Sequence, residues 1–136
     1  MRKTLYLLFI IMASLVVGLD ARVLTITFCN KTDRAAYCLA CSSKATFRLE
    51  PSGLGGSFHS YSVVLPDGYP FEDRIFFRPA ADCKTAFDFV ERTFSLPGGP
   101  ESLQITYFMC FNEETGSFEI RIQSQIAPRP CGGVTE

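Results

Sequence analysis

The sequence predicts an all-β protein: a small, disulfide-stabilised antiparallel β-sandwich of about seven to eight strands. Apolar and polar residues alternate with a period of two in several short segments, which is typical of strands with one buried face. Turn-forming residues separate these segments about every ten residues, and no stretch beyond residue 21 is securely helical. Six cysteines follow a secretory start, which is typical of a small exported protein held by disulfides.

The N-terminus has the pattern of an export signal. A basic start, Met1–Lys3, precedes the apolar run Leu5–Leu19, which is shorter than the roughly 20 residues of a membrane-spanning helix. We interpret residues 1–21 as a secretory signal peptide, with the mature chain starting between Leu19 and Arg22. The remaining residues, 22–136, are predicted to form a single secreted, extracellular domain with an irregular C-terminal tail and no membrane span.

The mature chain begins with three predicted strands, between residues 23 and 50. Val23–Cys29 alternates cleanly, and the polar turn Asn30–Arg34 comes after it. Asn30 begins an N-glycosylation sequon, so we expect this turn to be exposed and glycosylated in a eukaryotic secretory pathway. Ala35–Cys41 is a short second strand, and Ala45–Glu50 is a third. The residues expected to face inward are Leu24, Ile26 and Phe28 in the first strand, and Tyr37 and Leu39 in the second.

The middle of the chain supplies two more strands around a long loop. Ser57–Leu65 is predicted as a strand in which His59, Tyr61, Val63 and Leu65 share one face. Pro66–Asp73 is the longest irregular segment, and Arg74–Arg78 is a short strand with Ile75 and Phe77 opposed to Phe76. Ala80–Leu96 fits either a helix capped by Asp82 or a strand; we predict a turn near Asp82 and then a strand to Leu96.

The strongest pattern is a hairpin over Leu103–Ile126, with a tight turn at Asn112–Gly116. This turn places Phe111 opposite Phe118, and we expect both rings on the buried side. A slip by one residue would carry one strand's apolar set to the solvent side, so the pattern fixes the register. The other predicted pairs are Met109 with Ile120, Tyr107 with Ile122, Leu103 with Ile126, and Cys110 with Glu119.

The cysteines are interpreted as structural. Cys38 and Cys41 have the spacing of a zinc or redox half-site, but a zinc ribbon needs a second such pair and a thioredoxin-like site needs a strand-to-helix junction. Cys110 faces outward in the hairpin register, so we expect its partner to be Cys83 or Cys131. Sequence alone leaves the pairing open. The six cysteines expected in three disulfides are Cys29, Cys38, Cys41, Cys83, Cys110 and Cys131.

Catalytic and metal-binding patterns are weak. His59 is the single histidine, which excludes a cluster of histidine ligands and leaves one candidate general base. The carboxylates at Asp67, Glu72, Asp73 and Asp82 match no ligand spacing and are interpreted as a solvated loop. We therefore predict no cofactor and no metal.

Tyr69-Pro70-Phe71, in the long loop, is the most suggestive surface feature. Aromatic residues held by proline in a loop are typical of a protein-recognition site, but they also serve as plugs over the open end of a sandwich. Both interpretations stay open, and Tyr69 and Phe71 are the candidate partner-binding residues.

Several features together resemble the plant self-incompatibility protein homologues. They are the strand Leu24–Asn30, the run Cys41–Lys44, the Ile75–Phe77 strand, and a late Cys110 before the Gly116 turn. The resemblance implies a small secreted β-sandwich held by disulfides, and some members act as cell-to-cell ligands recognised by a receptor. This chain departs from the family in having Arg78 where a cysteine usually follows the paired aromatics, in lacking Trp, and in carrying extra cysteines.

These observations favour a secreted binding protein without catalysis, acting as an extracellular ligand or effector through a receptor or host protein. After removal of residues 1–21, thirteen basic and fourteen acidic residues become eleven and thirteen. So small a net charge gives no basic patch for nucleic acid, and we expect none as a partner. We also expect a monomer. The alternative function is a small secreted hydrolase that uses His59 with a nearby carboxylate.

Overall fold

The computed structural model describes residues 21–81 and 88–126, and in these residues the chain forms eight strands and no helix. Residues 1–20 of the predicted signal peptide, the predicted turn near Asp82 and the predicted C-terminal tail lie outside the described residues. The strands are β1 (Ala21–Asn30), β2 (Ala36–Ala40), β3 (Phe47–Leu49), β4 (Phe58–Pro66), β5 (Phe71–Pro79), β6 (Val90–Leu96), β7 (Leu103–Asn112) and β8 (Ser117–Ile126).

The strands form two four-stranded sheets, which confirms the all-β class and the strand number. The first sheet has the order β4-β1-β7-β8, and the second has the order β3-β2-β5-β6. All neighbours are antiparallel except β1 and β7, which run parallel in the first sheet. The prediction of a wholly antiparallel sandwich is therefore wrong for this pair. β7 follows β6 of the second sheet, so no tight hairpin connects it to β1 and it is free to enter in the parallel direction.

The core lies between the inner faces of the two sheets. Phe28 of β1 is fully buried, with ring centroids of Tyr107, Tyr61, Phe77 and Phe47 at 5.7, 5.8, 6.0 and 6.2 Å. Aromatic pairs at these distances add to the free energy gained by burying their area. Phe28 therefore joins strands from both sheets, as expected for its inward face on the first strand.

The hairpin has the predicted register, including Phe111 opposite Phe118 and Cys110 opposite Glu119. Gly116 has φ of +69° and donates its N–H to the Asn112 carbonyl at 2.8 Å, which closes the turn. The two phenylalanine rings pack edge to face at 5.1 Å. Phe111 is nevertheless 46% exposed, because this end of the hairpin extends past the core. Its predicted burial is wrong.

The face assignment of β2 is also wrong. Its fully buried residues are Ala36, Cys38 and Ala40, whereas Tyr37 and Leu39 lie on the outer face. β2 pairs with β5 so that Cys38 lies opposite the buried Phe77. Small inward side chains on β2 leave room for the large aromatic side chains of the core, and size rather than hydrophobicity decides which face is buried.

β5 begins earlier than predicted. Phe71, Glu72 and Asp73 belong to it and pair with the end of β6, so only Pro66–Pro70 remains as a loop. Phe71 and Asp73 point inward with Ile75 and Phe77. β6 confirms the predicted strand ending at Leu96.

Candidate recognition loop

The loop Pro66–Pro70, called here the Tyr69 loop, joins β4 in the first sheet to β5 in the second. Tyr69 donates its N–H to the Pro66 carbonyl at 3.2 Å, and Gly68 has φ of +83°, a conformation that favours glycine. These features close a tight turn directly after β4. Tyr69 is 61% exposed.

The buried Arg22 contacts the Tyr69 loop from its core side. Arg22 of β1 donates from Nη2 to the Tyr69 carbonyl at 3.3 Å and to the Pro97 carbonyl at 3.0 Å. Arg22 has no carboxylate partner in the described residues, and its buried Nε has no hydrogen-bond partner there. These two charge-assisted hydrogen bonds connect the Tyr69 loop to the segment after β6.

The two segments also meet directly. A Cβ atom built on Gly98 would lie 2.2 Å from the Gly68 carbonyl oxygen, well inside van der Waals contact. A side chain at Gly98 therefore requires the main chain to move. The close approach and the Arg22 hydrogen bonds fix the Tyr69 loop against the Pro97–Pro100 segment.

The structure separates the two candidate partner-binding residues. Phe71 is buried and packs against Phe94 at a centroid distance of 6.4 Å, so it has the plug role rather than a surface role. Tyr69 is exposed, and the exposed Val23 and Val64 pair on the outer face at the same end of β1 and β4. Tyr69 is the one of the two that a partner can reach.

Sequence reasoning missed a buried polar cluster around Asp73. Its carboxylate accepts hydrogen bonds from the Tyr107 hydroxyl at 2.6 Å, the Ser42 hydroxyl at 2.7 Å and the Ser42 N–H at 3.0 Å. The Tyr61 hydroxyl lies 2.6 Å from the Ser42 hydroxyl. Asp73 is thus a buried acceptor of several donors and not part of a solvated loop, and it fixes the turn after β2.

Both tyrosines of this cluster are weak acids. Burial raises the pKa of Tyr107, and its hydrogen bond to Asp73 raises it further. Burial likewise raises the pKa of Tyr61, although the hydrogen bond with Ser42 opposes this shift. Both phenols therefore stay protonated, and the cluster acts as a set of hydrogen bonds that joins the two sheets.

His59 is placed as a packing residue. Its ring stacks on Phe47 at a centroid distance of 3.6 Å, and within the described residues it makes no hydrogen bond to a carboxylate. Asp67 and Glu72 are exposed, Asp73 is buried in its own cluster, and Asp82 lies outside the described residues. The same part of the chain holds no group of three side chains suited to a metal ion.

The sequon asparagine is buried, although Lys31 and Asp33 of the same turn are exposed as expected. Asn30 is 1% exposed; its Nδ2 donates to the Arg34 carbonyl at 2.6 Å and the Glu50 carbonyl at 3.1 Å. Its Oδ1 accepts from the Thr32 hydroxyl at 2.7 Å. A glycan on Nδ2 would take the place of these hydrogen bonds. In this fold the Asn30 side chain has a structural role, and glycosylation stays a prediction.

The described cysteines occupy three environments, and all four are free thiols in the structure. Cys38 is fully buried in the core and Cys41 is exposed, which agrees with opposite faces for the two. Cys29 and Cys110 are half-buried on the outer face of the first sheet. Disulfide stabilisation stays a prediction. The remaining two, Cys83 and Cys131, lie outside the described residues.

No protein-family model matches the chain, and no curated protein matches its sequence. The resemblance to plant self-incompatibility protein homologues therefore stays a prediction. Along the described ranges, no helix is long and apolar enough to cross a membrane.

Proposed function

We propose that the protein is a secreted, disulfide-bonded β-sandwich that binds a protein partner as an extracellular ligand or effector, with Tyr69 at the centre of the contact. The observation that carries this proposal is the rigid presentation of an exposed aromatic side chain. A ligand that is already held in its bound conformation loses less conformational entropy when it binds. Tyrosine is enriched at binding hot spots because it combines apolar area with a hydrogen-bonding hydroxyl.

The surroundings of Tyr69 support the same function. The exposed Val23 and Val64 extend an apolar surface beside the Tyr69 loop. Arg22 hydrogen-bonds to this loop from the core. Exposed apolar residues beside an aromatic anchor are typical of a protein-binding surface. The export signal and six cysteines support an extracellular site of action. The hydrolase alternative finds no support in the contacts of His59.

The test is saturable binding of the labelled, oxidised protein to the cells on which it acts. Tyr69→Ala should weaken binding by roughly 30-fold or more, the effect of losing a hot spot of about 2 kcal/mol. Phe89→Ala is the matched control, because Phe89 is 62% exposed and precedes β6 at the opposite end of the second sheet. Tyr69→Phe separates the hydroxyl from the ring.

Two results would overturn the proposal. One is wild-type binding that unlabelled protein does not displace. The other is equal loss of binding in Tyr69→Ala and Phe89→Ala, since that would make the contact a non-specific effect of exposed aromatic area. His59→Ala should leave binding unchanged.

A further inference from the structure

The described residues form four sheet edges, and one of them lacks the features that normally prevent association. β3 has only three residues, β6 carries Glu91 and Arg92, and β8 carries Glu119 and Arg121. Arg92 also donates to the outward carbonyl of Ile120 at 2.7 Å, which covers part of the β8 edge. Short strands, charges and covering side chains are the usual protections of natural edges. β4 has none of them over Phe58–Leu65, and its one proline, Pro66, lies at the last position of the strand.

The edge of β4 is also unpaired. Its only strand neighbour among the described residues is β1. Asn30 donates its N–H to the Ser57 carbonyl at 2.8 Å, and backbone groups alternate in direction along an antiparallel strand. Every second residue from Ser57 therefore bonds to β1, and the residues between them direct N–H and C=O groups outward. The outward-bonding residues are Phe58, Ser60, Ser62 and Val64.

This edge is complementary to itself. When a second β4 runs antiparallel with Tyr61 opposite Tyr61, Phe58 lies opposite Val64 of the second copy and Ser60 lies opposite Ser62 of the second copy. All four outward-bonding residues then form hydrogen-bonded pairs, with about eight backbone hydrogen bonds in total. On the outer face, the exposed Phe58 and Val64 side chains, 63% and 54% exposed, meet twice. Cross-strand aromatic and β-branched pairs are favourable.

We propose that two copies of this chain associate through β4 into a symmetric dimer with one continuous eight-stranded sheet. Such a two-fold contact is isologous, since the same patch is used on both copies. β4 carries no charged side chain from Phe58 to Leu65, so the two copies of this strand do not repel each other. A contact along one strand is smaller than the roughly 800 Å² per partner of a standard interface, so we expect micromolar association. The dimer replaces the expected monomer.

The test compares proline at two edges of the same sheet. Ser62→Pro removes an outward N–H that β1 does not use, and proline is tolerated on edge strands at such positions. Ser124→Pro is the matched control on β8, because the outward Ile120 carbonyl places the Ser124 N–H on the outer edge as well. Ser62→Lys is a second variant that adds charge without touching the main chain. Circular dichroism checks that each variant is folded.

Sedimentation velocity of the mature, oxidised protein from about 1 to 200 μM supplies the measurement, a range that brackets micromolar dissociation constants. We expect the wild type and Ser124→Pro to shift from monomer to dimer, and Ser62→Pro and Ser62→Lys to stay monomeric. A wild type that is monomeric at the highest concentration overturns the proposal. Folded Ser62→Pro and Ser62→Lys proteins that dimerise like the wild type also overturn it.

Discussion

Removing the Tyr107 hydroxyl should destabilise the protein, because this group donates a hydrogen bond to a buried carboxylate. The hydroxyl donates to Asp73 Oδ2 at 2.6 Å, and Asp73 is buried. A hydrogen bond to a charged group contributes about 1.5–3 kcal/mol to the free energy of unfolding. Tyr107→Phe keeps the ring and its packing against Phe28, so the loss is that of the hydrogen bond. We expect a cost of about 2 kcal/mol.

Two further variants make this prediction specific. Tyr61→Phe removes a hydroxyl that bonds to the neutral Ser42 hydroxyl at 2.6 Å, so its cost should be about 1 kcal/mol. Tyr37→Phe removes a hydroxyl on the outer face of β2 and should change stability by less than about 0.5 kcal/mol. Urea denaturation followed by circular dichroism measures all three, since the chain lacks tryptophan. A Tyr107→Phe effect no larger than that of Tyr37→Phe would refute the role assigned to Asp73.

Three further predictions follow from burial. In reduced protein, burial raises the pKa of Cys38 from 9.0 to about 12. Between these pH values the folded state keeps a proton that the unfolded chain loses, so the free energy of unfolding should fall as the pH rises. Urea titrations at rising pH measure this decrease. Phe118→Ala should lower the free energy of unfolding by about 2–4 kcal/mol and Phe111→Ala by about 1–2 kcal/mol, with Gln123→Ala as the surface control. Equal losses for the two phenylalanines would contradict the exposed position of Phe111. Because Asn30 is buried, endoglycosidase treatment should leave the mass of the secreted protein unchanged, and a released glycan would show that the turn opens.

The sequence predicts most of the first sheet because its strands have one apolar face. Leu24, Ile26 and Phe28 alternate with polar residues, so burial and register follow from a period of two. In β2 the same rule fails, because Ala36, Cys38 and Ala40 are apolar as well as Tyr37 and Leu39. Where both faces of a strand are apolar, the volume available between the sheets decides which face is buried. That volume depends on strands distant in the sequence.

The candidate site could be predicted only in part. Tyr69 stands out in the sequence because it is an aromatic residue between turn-forming neighbours. Arg22, which hydrogen-bonds to the Tyr69 loop, does not stand out in the sequence. It is a basic residue in an alternating strand, and such residues are almost always exposed. Its burial depends on carbonyl groups 47 and 75 residues away. Contacts of this kind have no local signal in the sequence.

The two proposals make a joint prediction, because the Tyr69 loop directly follows β4. In the antiparallel dimer each Pro66 is five residues from the central Tyr61, so the two loops start about 34 Å apart along the joined strands. Two rigid tyrosines at a fixed spacing increase the apparent affinity for a surface that carries many partner molecules.

Ser62→Pro should therefore weaken binding to a dense partner surface while leaving binding to a single partner molecule unchanged, whereas Tyr69→Ala should weaken both. Titration of immobilised partner at high and low density measures the two regimes. Equal affinity of the wild type and Ser62→Pro at both densities, with dimerisation shown independently, would mean that the two loops do not engage together. The spacing of the loops, set by the length of β4, would then have no role in recognition.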